Sequence, residues 1–406
     1  MLKRTLIIIL VLTIIGGIYY WFFYNQTPQI DTTTTSTSTP RGFSPFQRKP
    51  EPTPEITATT TIEEPEPIVE NKPLELPKLR QLSATPISGM SASSTASSSV
   101  VRFIDRGTGH VYEASSITDE IKKISNTTLP RIYESYWNKN LNAFVLRFIK
   151  DETDTITNFY AEIRSNASTT ETKGSYLSST IREIAVSPTK DKVFTWNIES
   201  DRGIGYISSF DEKSKIKIVD SPLTQVTIDW PEINTATVAT KASASSMGYM
   251  YSVNTKTGVM KAVLGGIRGL SAKMSKDLSR VIYSSSNLIT YLLNTKNNSS
   301  EEIVFRTLAD KCVWSNLRKN ELYCAVPTEI SRDFVYPDDW YKGKVFFVDK
   351  IWHIDTSTGE VHLLANLLNL SGALIDATNL TLDPKEDFLY FINKRDLTLW
   401  SLDLTQ

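Results

Sequence analysis

The chain has 406 residues, with 44 Lys and Arg against 45 Asp and Glu, a formal net charge of −1, 40% hydrophobic residues and 22% charged ones. So even a balance, with no basic stripe anywhere along the sequence, argues against nucleic acid as a ligand. Two cysteines and three histidines also leave little material for a metal centre or a thiol–histidine nucleophile.

After residues 1–4, the segment Thr5 to Tyr24, TLIIILVLTIIGGIYYWFFY, is an almost unbroken apolar run. At about 1.5 Å rise per residue, a helix of that length crosses a hydrocarbon core of about 30 Å. The sequence therefore predicts a transmembrane helix over residues 5–24. Lys3 and Arg4 precede the run, and the next charge, Asp31, lies beyond it. The positive-inside rule then leaves residues 1–4 as a cytoplasmic tail and places the rest of the chain outside the cell membrane. Tyr19, Tyr20, Trp21 and Tyr24 suit the outer interface, and no A-x-A-like cleavage site or lipobox cysteine follows. That pattern favours an uncleaved single-pass anchor over a signal peptide.

Residues 25–78 are rich in Thr, Ser, Pro and Glu, as in DTTTTSTSTP and KPEPTPEITATTTIEEPEPIVENKPLELPK. Such a segment has too little apolar surface to offset the entropy of ordering it, so it is expected to be a disordered or extended linker spanning about 40 Å as a flexible coil. A spacer is the plain reading; a Pro-rich docking segment or a glycosylated stalk fits the same composition.

From residue 79 to 406 a unit recurs: a short apolar strand, a polar turn, and a second strand rich in Val, Ile, Phe and Tyr. Examples are ESYWNKNLNAFVLRF (134–148), REIAVSPTKDKVFTW (182–196), SAKMSKDLSRVIYS (271–284), KCVWSNLRKNELYCAV (311–326) and NLTLDPKEDFLYFI (379–392). Hairpins such as MYSVNTKTGVMKAVL (250–264) follow several of them. The units begin roughly 43 to 50 residues apart, the spacing of a four-stranded propeller blade. Blades are expected to start near Arg80, Arg131, Thr180, Thr224, Ile267, Asp310 and Asp376, which gives an all-β propeller of seven blades, with six or eight as alternatives. The first would contain 100–115 and 120–126. The last has only three strands before Gln406, and chain from just before Arg80 would complete it, removing an exposed edge.

The SPTKDKVFTW, DWPEINTATVA and LDPKEDFLYFI segments resemble the S-P-D-G-type turn of TolB-like (PD40) and WD40-like propeller repeats. The resemblance spans most of residues 80–406, but the Gly-His and Trp-Asp pairs of WD40 repeats are absent, as are the kelch glycine pairs and the sialidase box. It implies a propeller and a role as a partner in envelope complexes. Fold alone supplies no activity.

Cys312 and Cys324 flank one strand–turn–strand unit. A turn centred near Arg318 would place them opposite each other, within disulfide range; two buried thiols are the alternative. His110, His353 and His362 do not combine with Cys or carboxylates at zinc spacing, and no G-x-S-x-G elbow, calcium loop or Walker loop occurs. No catalytic, cofactor-binding or metal residues are therefore assigned. Trp137, Trp230 and Trp314 end equivalent inner strands, where an indole would wedge between blades or, alternatively, line a face.

The most distinctive local feature is the insertion PTEISRDFVYPDDWYKGKVFFVDK (327–350). Its centre, Tyr336, Asp338, Asp339, Trp340 and Tyr341, gathers aromatics and carboxylates in a long loop, the kind of place that carries binding. These five are the candidate partner-binding residues; the alternative is a loop that buries Trp340 against the propeller face. The sequence as a whole reads as a membrane-tethered, extracytoplasmic propeller, non-enzymatic, binding an envelope protein or glycan. The rival reading is a propeller enzyme or carbohydrate-binding protein acting on envelope polysaccharide or peptide. Three or more Asp, Glu or His side chains converging on the central channel would favour that rival.

Overall fold

The computed structural model describes residues 76–95, 98–150, 155–165 and 170–406. The expected cytoplasmic tail, the transmembrane helix over 5–24 and the linker up to residue 75 lie outside the described residues. Among the described residues, no helix is long and apolar enough to cross a membrane.

The described residues form seven four-stranded antiparallel sheets, with strands counted from the centre outward, which follows chain order in six of the seven. Blade 1 spans 87–123, blade 2 132–176, blade 3 181–221, blade 4 226–268, blade 5 271–306, blade 6 312–366 and blade 7 377–403. The expected starts at Arg131, Thr180, Thr224, Asp310 and Asp376 fall within two residues of the observed inner strands, and Ile267 within four. The start at Arg80 is displaced, because Leu79–Gln81 is the outermost strand of blade 7, paired with Leu399–Asp403. Blade 1 begins instead at Ile87–Ser94.

Polarity falls into register with distance from the centre. The second strand of a blade lies between two neighbouring blades and is buried on both faces, so Ala143–Ile149 (AFVLRFI) is apolar but for Arg147, and Val193–Glu199 (VFTWNIE) buries even its Thr195 and Asn197. Outer strands such as Ser299–Arg306 (SSEEIVFR) face solvent and are polar. Trp137 packs with Ile104 and Val111 of blade 1, Trp230 with Phe194 and Trp196 of blade 3, and Trp314 with Ile282 and Leu292 of blade 5. Each indole is thus a wedge between consecutive blades.

Chain alternation gives the ring two faces. Turns between first and second strands, and between third and fourth, lie on one, the turn face. Connections between second and third strands, and from each blade to the next, lie on the other, the crossover face. The turn face carries a recurring five-residue cap. Asn138, Ser187, Ser275 and Asp383 each accept the backbone N–H five residues on, with donors Ala143, Lys192, Arg280 and Phe388 at 2.8–3.1 Å. The third residue after the cap is left-handed: Leu141, Lys190, Leu278 and Glu386 have φ of 53–63°. Glycine fills that place in an S-P-D-G turn at no steric cost. Here the side chains have work that offsets the strain. Leu141 is buried between blades 1 and 2, and Glu386 accepts from Ser315 Oγ and the Leu317 N–H of blade 6.

Candidate functional site

The crossover face bears the long connection between Glu321–Pro327 and Asp349–Asp355 of blade 6. It contains one four-residue helix, Asp338–Tyr341, and folds onto the ring through a cluster of its own, Leu288, Leu308, Tyr336, Trp340 and Phe347. Asp338 reaches blade 4, accepting from Ser243 Oγ at 2.9 Å and the Ala244 N–H at 2.7 Å. Partial burial pushes its carboxyl upward, but those hydrogen bonds prevail and hold it below the usual range. Asp339 accepts from the Val335 N–H at 2.9 Å and pairs with Lys344 at 3.0 Å. Tyr341 donates its hydroxyl to Asp310.

This arrangement changes the assignment of the five loop residues. Tyr336 and Trp340 are only 6% and 4% exposed, so they anchor the insertion and offer no surface to a partner. Asp338 and Asp339 are committed to hydrogen bonds within the fold. Tyr341, 42% exposed, and Val335, 57% exposed, are the large apolar side chains the insertion presents to solvent.

Beneath the insertion lies a charged cluster that sequence reasoning missed. Lys311, Asp349 and Asp376 are each fully buried. Lys311 Nζ donates to Asp349 Oδ2 at 2.7 Å, to Asp376 Oδ1, and to the Ala377 carbonyl at 3.0 Å. Asp376 Oδ2 accepts from Trp340 Nε1 at 2.8 Å and from the Phe347 N–H at 3.0 Å. Asp349 Oδ2 also takes the Ala377 N–H at 2.7 Å, while its Oδ1 is buried without a partner. The Nζ lies 5.4 Å from the Trp340 ring centroid and 5.3 Å from that of Phe347. Three residues 65 positions apart at the extremes thereby clamp the entries of blades 6 and 7 to the insertion.

Two carboxylates share one ammonium here, out of water. Burial, with the Asp376 charge adding to it against the pull of Lys311, pushes the Asp349 carboxyl up to about 6. The folded state therefore binds more protons than the unfolded chain between about pH 4 and pH 6. Stability from this group is greatest at the acid end and is lost as pH rises through that window. Comparing urea midpoints at pH 5 and pH 7, Asp349→Asn is expected to lack the part of the acid-side gain that the wild type shows. Identical pH dependence in the two proteins would show that Asp349 is not the proton acceptor.

The second feature is the channel. A cavity of about 460 Å³ is enclosed by inner strands and their approaches, and Glu134, Glu183, Asp229 and Asp310 all line it together with Lys273. Inner-strand register slips at Ile132/Glu134 and Ile181/Glu183, and similarly at Ile87/Met90 and Thr378/Thr381. Such bulges re-aim a side chain, and in blades 2 and 3 they accompany the glutamates' place on the channel. Glu134 accepts from Arg147 Nη1 at 2.7 Å and from the Tyr136 hydroxyl at 2.8 Å, and Glu183 pairs with Lys241 at 3.0 Å. Burial raises the Glu183 carboxyl despite that lysine. The signal for these residues was present in sequence: a Glu placed third in a mainly apolar or aromatic strand, IYESYW and IREIAV. Among the described residues, no group of three or more His, Cys, Asp or Glu is placed to hold a metal ion.

Cys312 and Cys324 are directly opposite on the first two strands of blade 6, with Cα atoms 4.1 Å apart and sulfurs bonded at 2.08 Å. His353 and His362 face each other on adjacent strands of the same blade, and His353 Nε2 lies 3.0 Å from Glu321. His110 contacts Thr128.

With seven sheets in a ring and the last completed by the chain entering the domain, the architecture is unambiguous. The described domain is a seven-bladed β-propeller. No protein-family model and no curated protein matches the sequence. Solved structures similar to it include an oligogalacturonate lyase in complex with manganese, at 10% identity and TM-score 0.47, covering 81% of this chain and 98% of that one. A functionally unknown protein from Desulfotomaculum acetoxidans matches at 10% identity and TM-score 0.46 over 75% of this chain and 89% of its own. The β-propeller domain of the trilobed protease from Pyrococcus furiosus, described as having an open velcro topology, matches at 10% identity and TM-score 0.49, over 78% and 95%.

Proposed function

We propose that this propeller is a protein-binding module of the cell envelope, tethered by residues 5–24 and engaging its partner through the crossover face. One observation carries the reading. Exposed large apolar side chains are more numerous on the connections of that face, among them Ile149 and Ile156 in blade 2, Val335 and Tyr341 on the insertion, and Leu370 and Leu374 between blades 6 and 7, than on those of the turn face, which carry Ile117, Ile233, Val259 and Leu317. Exposed apolar surface of this kind favours an interaction role. The described chain enters the propeller from the opposite face. Leu79–Gln81 enters the ring from the turn face, and Lys78 Nζ donates to the Gln406 carbonyl at 2.7 Å, so both ends of the propeller lie there.

A photo-crosslinking residue at Val335 or Leu370 of the full chain is expected to capture an envelope protein in cells, and one at Leu317 on the turn face is not. Capture from Leu317 alone, or from none of the three, would overturn the proposal. The second reading, an enzyme or carbohydrate-binding protein acting on envelope polysaccharide or peptide, is favoured by Glu134, Glu183, Asp229 and Asp310 around the channel, which meet the condition of three or more carboxylates set for it above. Its requirement is that Glu183→Gln abolish a turnover or glycan-binding signal while leaving crosslinking at Val335 intact.

A further inference from the structure

The buried Lys311 cluster has the composition and geometry of a site that makes a covalent bond. We propose that Lys311 and Asp376 are joined by an autocatalytic intramolecular amide (isopeptide) bond, with Asp349 as the proton-transfer group. The nucleophile, the electrophile and a proton acceptor are all in contact: Lys311 Nζ against the Asp376 carboxyl and 2.7 Å from Asp349 Oδ2. All three side chains are fully buried, and the rings of Trp340 and Phe347 flank the amine. Proximity of this kind replaces the translational entropy a bimolecular reaction would lose.

The reaction begins with transfer of one proton from the Lys311 ammonium to the Asp376 carboxylate it contacts, giving amine and carboxylic acid. The Nζ lone pair then attacks Asp376 Cγ. As the C–N bond forms, the C=Oδ2 bond opens to an oxyanion. Trp340 Nε1–H at 2.8 Å and the Phe347 N–H at 3.0 Å already point at Oδ2 and receive that charge. Asp349 takes a proton from Nζ and passes it to the Oδ1 hydroxyl, which leaves as water while the carbonyl re-forms. Carboxylic acid and amine become amide and water, nothing is oxidised or reduced, and Asp349 is regenerated. Asp349 Oδ1, buried and without a hydrogen-bond partner, is consistent with a carboxylate kept free to carry that proton. The product exchanges a buried ion pair, whose desolvation is expensive, for a neutral amide. It would weld blade 6 to blade 7 one residue away from the disulfide that ties Cys312 to Cys324.

The test is a tryptic map of the full-length wild-type protein after disulfide reduction, read by tandem mass spectrometry. The expected result is no cleavage at Lys311 and a branched peptide in which Lys311 is joined to the segment holding Asp376, lighter than its two parts by one water. Recovery of both segments as separate linear peptides would overturn the proposal, and a branch at Asp349 would overturn the choice of acceptor. Lys311→Arg should restore the missing water in the intact mass, and Asp349→Asn should leave Lys311 and Asp376 largely unjoined. Full joining in Asp349→Asn would remove Asp349 from the mechanism. The wild-type map requires no variant to fold.

Discussion

Replacing Lys311 by Met is expected to destabilise the propeller by about 3–5 kcal/mol, the range seen when one partner of a buried ion pair is removed. Lys311 is the cation that Asp349 and Asp376 contact, and both carboxylates are inaccessible to water. Without it, two like charges face each other in a pocket walled by Trp340 and Phe347, and protonating at least one becomes a condition of folding. The loss should appear as a lower denaturant midpoint for the full chain, steeper at pH 8 than at pH 5. Adding Asp349→Asn to Lys311→Met removes one of the stranded charges and should recover part of the loss. A loss below about 1 kcal/mol, the ordinary worth of an exposed pair, would show that water reaches the cluster. An amide between Lys311 and Asp376 acts in the same direction, and the peptide map separates that contribution from the electrostatic one.

The cluster was out of reach of sequence reasoning for a physical reason. Lys311, Asp349 and Asp376 belong to three connections on the crossover face, and no local pattern ties a lysine to aspartates 38 and 65 positions later. The blades were legible because a strand buried between two neighbours is largely apolar, as 143–149 is but for Arg147, and lies next to a polar turn. The inner strand of blade 1, ISGMSASS, carries no such pattern. It packs so closely on blade 2 that a Cβ at Gly89 would come within 2.5 Å of Ser135 Oγ, and small residues replace the Val and Ile that would announce a strand. The insertion was visible by its length, yet its composition misleads. Aromatics crowd it because Tyr336, Trp340 and Phe347 need a core, and an amphipathic interface anchor has the same residue types as a side chain that buries itself. The channel glutamates stood out only as charges in apolar strands, and bulges that place them cannot be read without the pairing register.

Removing the closing strand is expected to have a comparable effect, by a different route. A variant lacking residues 76–82 loses Leu79 and Leu82, both buried, and the three-residue ladder of Leu79–Gln81 on Leu399–Asp403. Burial of a leucine contributes about 1.5–3 kcal/mol, and each net backbone hydrogen bond about 0.5–1.5 kcal/mol, so a total loss on the order of 4 kcal/mol follows. Arg80 goes with it. Its guanidinium donates to the carbonyls of Ser115 and Thr118 and pairs with Asp119, pinning blade 7 to blade 1. The ring then ends in an open edge at Leu399–Asp403, a row of unpaired backbone groups that invites another chain. The variant should unfold at lower denaturant and self-associate in light scattering, and a synthetic peptide of residues 76–86 added in trans should suppress that association. Unchanged stability would mean that the ring does not depend on this strand.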